Sequence, residues 1–114
     1  MPGVSEKTEA LIAAIQQSEE YTTYNELRSF ITRESGIADR VNGYRRQLFY
    51  LQNRAAQDDD QAAIEQLTGD YQDILGMPRV MAYLAAEQAL VEMLRDICAR
   101  IGNAVTLDLS FLEE

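Results

Sequence analysis

Two short clusters of carboxylates are the residues of this chain that could take part in acid–base or metal chemistry. Glu19 and Glu20 are adjacent, and Asp58, Asp59 and Asp60 form an acidic triplet. Paired carboxylates can move a proton or hold a divalent cation. Each cluster also stands where a helix is predicted to begin, and the positive end of a helix dipole stabilises acidic side chains there. We therefore interpret both clusters as helix-start residues and expect no catalytic residue and no bound metal.

Other catalytic arrangements lack the residues that they need. The chain of 114 residues has no histidine and one cysteine, Cys98. Nucleophilic triads need a histidine, and zinc or iron–sulfur sites need several cysteines or histidines. The glycines are too isolated for a phosphate-binding loop. The sequence thus predicts a protein without enzymatic activity or cofactor, and Cys98, on an apolar helical stripe, is predicted to be buried.

An arginine-rich stretch stands out from the acidic background. Residues 33–54 have a net charge of +3 in a chain of net charge −9. Guanidinium groups interleaved with aromatic rings on a helix, here predicted over 37–55, are typical of RNA contacts. Alternatively, the arginines pair with the acidic stretch 58–73 or with a second copy. We favour this pairing and keep RNA binding as the alternative. The candidate RNA contacts are Arg40, Arg45, Arg46 and Arg54.

Helical spacing of apolar residues along nearly the whole chain predicts an all-α fold. We expect one domain over residues 1–114, an antiparallel helical hairpin or bundle of about four to five helices with a long C-terminal helix. The first helix is predicted over 4–18. The next helix begins at a capping Ser18 or continues the first with a kink, and Ser35–Gly36 is predicted to end it.

Two apolar surfaces are predicted to contact other helices or other chains. The first is a coiled-coil-like seam from Ile37 to Ala55, and the second belongs to the last helix, which Pro78 is predicted to open. That helix has two parallel apolar stripes, a wider surface than one neighbouring helix covers, so we expect a homodimer or a larger oligomer. The candidate residues for self-association or partner binding are Ile37, Val41, Tyr44, Leu48, Leu51, Leu90, Met93, Leu94, Ile97 and Ile101.

The sequence gives no sign of a membrane protein. Its uncharged runs are far shorter than the roughly 20 apolar residues that cross a bilayer. The first seven residues lack the charged start and apolar core of a secretory signal. We expect a cytoplasmic protein that does not associate with membranes.

Two stretches resemble motifs of the bacterial YlbF/YmcA family. Residues 18–24, SEEYTTY, are similar to the S-x-E-Y-x-x-Y region of that family. Residues 78–87, PRVMAYLAAE, are similar to the P-x-V-x-x-Y-L-x-A-E opening of its last long helix. The two stretches occur in the family's order and at the family's separation.

This resemblance implies an all-helical, self-associating regulator without enzymatic activity. Members regulate competence, sporulation and biofilm formation, and two of them act in a complex that steers ribonuclease Y. A role in bacterial RNA processing or developmental regulation, through a regulatory protein complex, is therefore implied. The members that hold iron–sulfur clusters have cysteines near the C-terminus. The C-terminal residues Leu107–Glu114 include no cysteine, so no cluster is expected here.

Overall fold

A computed structural model describes residues 3–54 and 56–113; Ala55, the last residue of the predicted seam, lies outside them. The helices are α1 (Val4–Gln16), α2 (Glu19–Arg33), α3 (Ser35–Asn53), α4 (Asp60–Asp70), α5 (Gln72–Leu75) and α6 (Pro78–Ala104), and a 3₁₀ turn follows at Ser110–Glu113. The described part of the chain contains no strand. The prediction of an all-α fold with a long C-terminal helix is confirmed. None of these helices is both long and apolar enough to cross a membrane.

Ser18 separates the first two helices. Its hydroxyl accepts a hydrogen bond from the Tyr21 N–H at 3.2 Å, the usual contact of a residue that caps a helix start. The same hydroxyl donates to the Ile15 carbonyl at 2.6 Å, so that one side chain closes α1 and opens α2. The predicted cap is confirmed, and α1 ends at Gln16, two residues before the predicted end.

The predicted glycine stop at Ser35–Gly36 is wrong. Glu34 alone interrupts the helical backbone, with φ −107° and ψ 88°, and Gly36 already lies in the first turn of α3. No described glycine has a positive φ. The break brings Ile31 and Val41 into one core. In an uninterrupted helix these two residues would lie about 15 Å apart along the axis, so burial decides where the helix ends.

Tyr71 interrupts the helical backbone of residues 60–75. It is the residue between α4 and the single turn of α5. Its ring packs edge-on against Tyr44, with the centroids 5.7 Å apart, and its hydroxyl accepts a hydrogen bond from Gln47 at 2.9 Å. After this break, Pro78 stands in the first turn of α6, as predicted.

α1 and α2 lie end to end along one side of α6. Tyr24 of α2 stacks on Tyr83 near the start of α6, with the ring centroids 5.5 Å apart. Leu11 of α1 shares a cleft with Ile97 near the end of α6. α1 and α2 therefore run antiparallel to α6, which is the antiparallel hairpin that the sequence predicts.

The hydrophobic core lies at one end of the molecule. No residue of α1 is buried, and the last buried residue of α6 is Ala86. We call residues 19–89 the head, and α1 together with residues 90–104 the arm. The core cluster of the head consists of Ile31, Val41, Leu67, Tyr71, Ile74, Val80 and Tyr83.

The molecule is flat and open. It measures 52 × 42 × 17 Å, and its radius of gyration is 18.7 Å, whereas a compact domain of this length has a radius of about 13 Å. Its accessible surface is 8834 Å², against about 6,300 Å² for a compact monomer of the same mass. The single chain thus exposes about 2,500 Å² more than a compact fold would.

Candidate interaction surfaces

The predicted seam of α3 packs inside the head. Val41 is only 1% exposed. The other seam candidates pack against the core and are half-buried; they are Ile37, Tyr44, Leu48 and Leu51. In this conformation the seam joins α3 to α2 and α4. Tyr44 and Leu48 also line one surface groove, and Leu51 lines another. The neighbouring aromatic residues that lie off the seam, Phe49 and Tyr50, are exposed.

The two stripes of α6 meet different neighbours. The stripe of Tyr83, Leu90, Met93 and Ile97 is buried or half-buried, on the side of α6 that α2 and α1 cover. The other stripe begins at Val80, which is fully buried in the head, and becomes exposed along the arm at Leu94, Cys98, Ile101 and Val105. The prediction that Cys98 is buried is wrong, because no third helix of the described part of the chain covers the arm.

An apolar surface therefore runs along the arm, and Leu11 of α1 continues it. A cleft of about 560 Å³ lies there between α1 and the end of α6, with Arg100 at its lining. Leu94 is 41% and Ile101 is 55% exposed. We call this surface the arm face; it consists of Leu11, Leu94, Cys98, Ile101 and Val105. Two antiparallel helices cover only one side of each other, so the arm face has no partner among residues 3–54 and 56–113.

Two candidate RNA-contact arginines pair with the acidic stretch that follows α3. Arg40 Nη2 lies 2.6 Å from Asp73 Oδ1, and this hydrogen bond is the main reason why the pKa of Asp73 is lowered. Arg54 Nη2 lies 2.6 Å from Asp60 Oδ1. The pKa of Asp60 is lowered first by the Gln57 N–H and then by Arg54. The interpretation that these arginines pair with residues 58–73 is confirmed.

The other two candidate arginines differ from each other. Arg45 Nη2 lies 2.7 Å from Glu87 Oε2, but the pair is poorly aligned, and Arg45 Nε and Glu87 Oε2 make no hydrogen bond. The Arg45 guanidinium also lies 5.8 Å from the centroid of the Tyr83 ring. Arg46 is exposed and has no ion-pair partner among the described residues.

An open groove of about 990 Å³ lies between α3 and α6; we call it the α3–α6 groove. The ion pair of Arg45 and Glu87 bridges its two walls. The apolar part of its lining includes Leu48, Phe49, Leu75, Met81 and Leu84. Sequence reasoning missed this groove, because the residues of its two walls are far apart in the chain and only the fold brings them together.

Residues 105–113, which we call the tail, leave α6 without joining the core. Asp108 accepts hydrogen bonds from the Ser110 hydroxyl at 2.7 Å and the Ser110 N–H at 3.1 Å, and these bonds lower the pKa of Asp108. The structure shows a stretch without regular secondary structure followed by the 3₁₀ turn, in which Ser110, Phe111 and Leu112 are exposed. The large apolar side chains of the tail are all more than half exposed: Val105, Leu107, Leu109, Phe111 and Leu112.

The carboxylate clusters occupy helix starts. Glu19 and Glu20 lie in the first turn of α2, Asp60 opens α4, and Asp59 precedes it. Within residues 3–54 and 56–113, no group of three or more Cys, Asp or Glu side chains is placed to hold a metal ion.

A known protein family matches most of the chain. The sequence model of the family described as "Control of competence regulator ComK, YlbF/YmcA" matches residues 4–106, from the start of α1 to just beyond the end of α6. No curated protein and no solved structure matches the chain significantly.

Proposed function

Because the chain belongs to the YlbF/YmcA family, whose description is the control of a competence regulator, we propose that it is a non-enzymatic regulatory adaptor. It acts through protein–protein contacts in the bacterial cytoplasm, in RNA processing or developmental regulation. It works as a homodimer, which forms the contact surface for further regulatory partners.

The unpartnered arm is the observation that carries this proposal. Its two helices bury no residue, and the chain exposes about 2,500 Å² in excess of a compact monomer. Interfaces of obligate homodimers bury about 2,000–5,000 Å² in total. The excess accessible surface of two chains together is as large as the area that such an interface buries. Two arms side by side contain four helices, which can enclose the apolar residues of the arm face in a bundle.

In the proposed dimer the two arms are antiparallel, which places the two-fold axis perpendicular to α6. Most homodimers have a two-fold axis, and the same patch of each copy then faces its own equivalent. Residues 90–104 form the α6 part of the arm, so an axis at their middle lies near Ile97 and Cys98. Cys98 belongs to the exposed arm face. In this dimer it lies opposite the partner's Cys98.

RNA binding by the isolated chain is not part of the proposal. Arg40, Arg45 and Arg54 are engaged in ion pairs with acidic residues of the same chain, which reduces the positive field that phosphates require. Arg46 is the remaining candidate. In fluorescence anisotropy with a labelled single-stranded RNA, we expect no saturable binding at about 100 mM salt. Saturable binding that falls steeply with salt and is lost in Arg46→Glu would favour the RNA alternative.

The regulatory role is tested in the host by replacing the gene with single-residue variants. Leu94→Asp places a charge on the arm face, whereas Ala99→Asp places the same charge on the exposed side of α6 that carries Glu92 and Arg95. Deletion should change the steady-state transcript profile, and Ala99→Asp should restore it while Leu94→Asp should not. Full restoration by Leu94→Asp would show that the arm face is not needed for the role.

A further inference from the structure

We propose that the tail of one copy docks in the α3–α6 groove of the other copy. This inference rests on the proposed dimer of arms and adds a second contact to it. The tail and the groove are surfaces of the same chain that lack an intrachain partner, and their chemistry and placement are complementary.

Both surfaces carry apolar side chains that the single copy does not bury. Both surfaces present large side chains that a single copy leaves in contact with water, a state that favours burial. On the groove side, Phe49 is 60% and Met81 is 49% exposed, and half-buried Leu48 and Leu84 lie beside them. The tail offers Leu107, Leu109, Phe111 and Leu112.

The charges of the two surfaces are also complementary. Residues 105–114 contain three acidic residues and no basic residue. The groove is lined by Arg45 and Arg46 with a single carboxylate, Glu87, so its net charge is positive. Asn42, Gln52 and Gln88 add side-chain amides to the lining, and these can pair with the backbone of an extended segment. An acidic apolar segment therefore fits this groove better than a basic one.

A chain cannot fill its own groove with its own tail. Ala104 lies about 24 Å along α6 from Gln88 and about 35 Å from Met81, the two ends of the groove wall on α6. With its 3₁₀ turn, the tail spans only about 24 Å. It would also have to reverse its direction before it could return along α6. The occupant must come from another copy.

The proposed dimer brings the tail of the other copy to the correct place. In two antiparallel α6 helices, residue numbers run in opposite directions on either side of the two-fold axis. An axis at Cys98 places Ala104 of one copy beside Glu92 of the other, and a tail that continues in the same direction for up to about 24 Å passes residues 81–88 of that copy. The groove takes its α6 wall from residues 81–88. The arm contact and the tail contact are thus compatible with a single symmetric dimer.

Photo-crosslinking of the full-length chain tests this contact. In a Cys98→Ser background, Leu112→Cys carries a benzophenone maleimide, an apolar probe at a position that is 67% exposed in the single copy. Unlabelled and heavy-isotope-labelled copies are mixed, irradiated and analysed by mass spectrometry. We expect crosslinks between copies, recognised by mixed isotopes, that map to residues 42–52 or 81–88.

Matched variants show whether the groove itself captures the probe. Phe49→Asp should abolish these crosslinks, whereas Tyr50→Asp should preserve them, because Tyr50 is equally exposed but lies outside the groove. Suppose that the chain has the mass of a dimer, but that the crosslinks form within one copy, map outside residues 42–52 and 81–88, or do not form. Any of these results overturns the tail contact and leaves the dimer intact. A monomeric mass at all concentrations overturns the proposed dimer as well. Capture of the probe by a different protein in place of the second copy likewise contradicts the inference.

Discussion

The hydroxyl oxygen of Tyr71 lies 2.7 Å from the position that a β-carbon on Gly43 would occupy. Gly43 is inside α3, where a glycine costs about 1 kcal/mol relative to alanine. The missing side chain admits the Tyr71 ring, whose hydroxyl is held by Gln47. This close approach joins α3 to the break between α4 and α5.

Filling this space should destabilise the head. Gly43→Ala forces the Tyr71 ring to move, at the usual overpacking cost of about 1–3 kcal/mol. Since replacing a glycine inside a helix returns about 1 kcal/mol, we expect a net loss of up to about 2 kcal/mol in the free energy of unfolding. Gly69→Ala is the control, because no atom lies near its added carbon; it should raise stability by about 0.5–1 kcal/mol. Urea denaturation measures both. Equal effects of the same sign would show that Tyr71 does not need the space at Gly43.

A charge in the seam should unfold the head. Val41 is almost completely buried, so Val41→Asp leaves a carboxylate without a partner and should cost about 3–5 kcal/mol. Arg46→Asp, on the exposed side of the same helix, should change the stability by less than about 0.5 kcal/mol. Thermal melting followed by circular dichroism compares the two variants. Similar melting temperatures would mean that the seam of α3 does not pack as described.

Tyr83 should make the stability depend on alkaline pH. Burial, with a smaller contribution from the Tyr24 hydroxyl, raises the pKa of Tyr83 to about 12. Folding therefore favours the protonated phenol, and its contribution is complete below the unfolded pKa of about 10 and is lost as the pH rises towards 12. Denaturation series at several values across this range should show a steeper loss of stability for the native sequence than for Tyr83→Phe. Identical slopes would contradict this assignment.

Cys98 should report the position of the two-fold axis. With a short bis-maleimide, the native chain should crosslink efficiently to its partner through Cys98, giving twice 12.9 kDa on a denaturing gel. Ala99→Cys in a Cys98→Ser background presents its thiol on the side of α6 away from the arm face. It should give little crosslinked product. Equal yields from both positions would exclude an axis near Cys98.

Local signals in the sequence predicted the helix ends that local contacts determine. Ser18 caps α2 with its own hydroxyl, and Pro78 opens α6 where its missing N–H costs nothing. The apolar spacing of α6 predicted a surface wider than one neighbour covers. In the structure, the stripe that begins at Val80 is buried in the core at that end, whereas Ile101, near its other end, is exposed.

Contacts between distant residues account for what the sequence did not predict. The break at Glu34 serves a core that Ile31 shares with Val41, and Gly36 contributes no left-handed turn to it. The break at Tyr71 depends on the space at Gly43 in another helix. The α3–α6 groove likewise has no sequence signature, because its two walls are separate amphipathic helices. The distance and angle between these helices depend on how α4 and α5 pack between them. The spacing of apolar residues within one helix contains no information about that distance and angle.

The mass of the native chain in solution tests the central claim of self-association most directly. Light scattering coupled to size exclusion, at micromolar concentration, should give about twice 12.9 kDa for the native chain and for Ala99→Asp. Leu94→Asp should give the single-chain mass, because it places a carboxylate on the arm face, which the proposed dimer buries. A native chain that elutes at 12.9 kDa and still melts cooperatively would contradict the account, since it would show that the arm is stable without a partner.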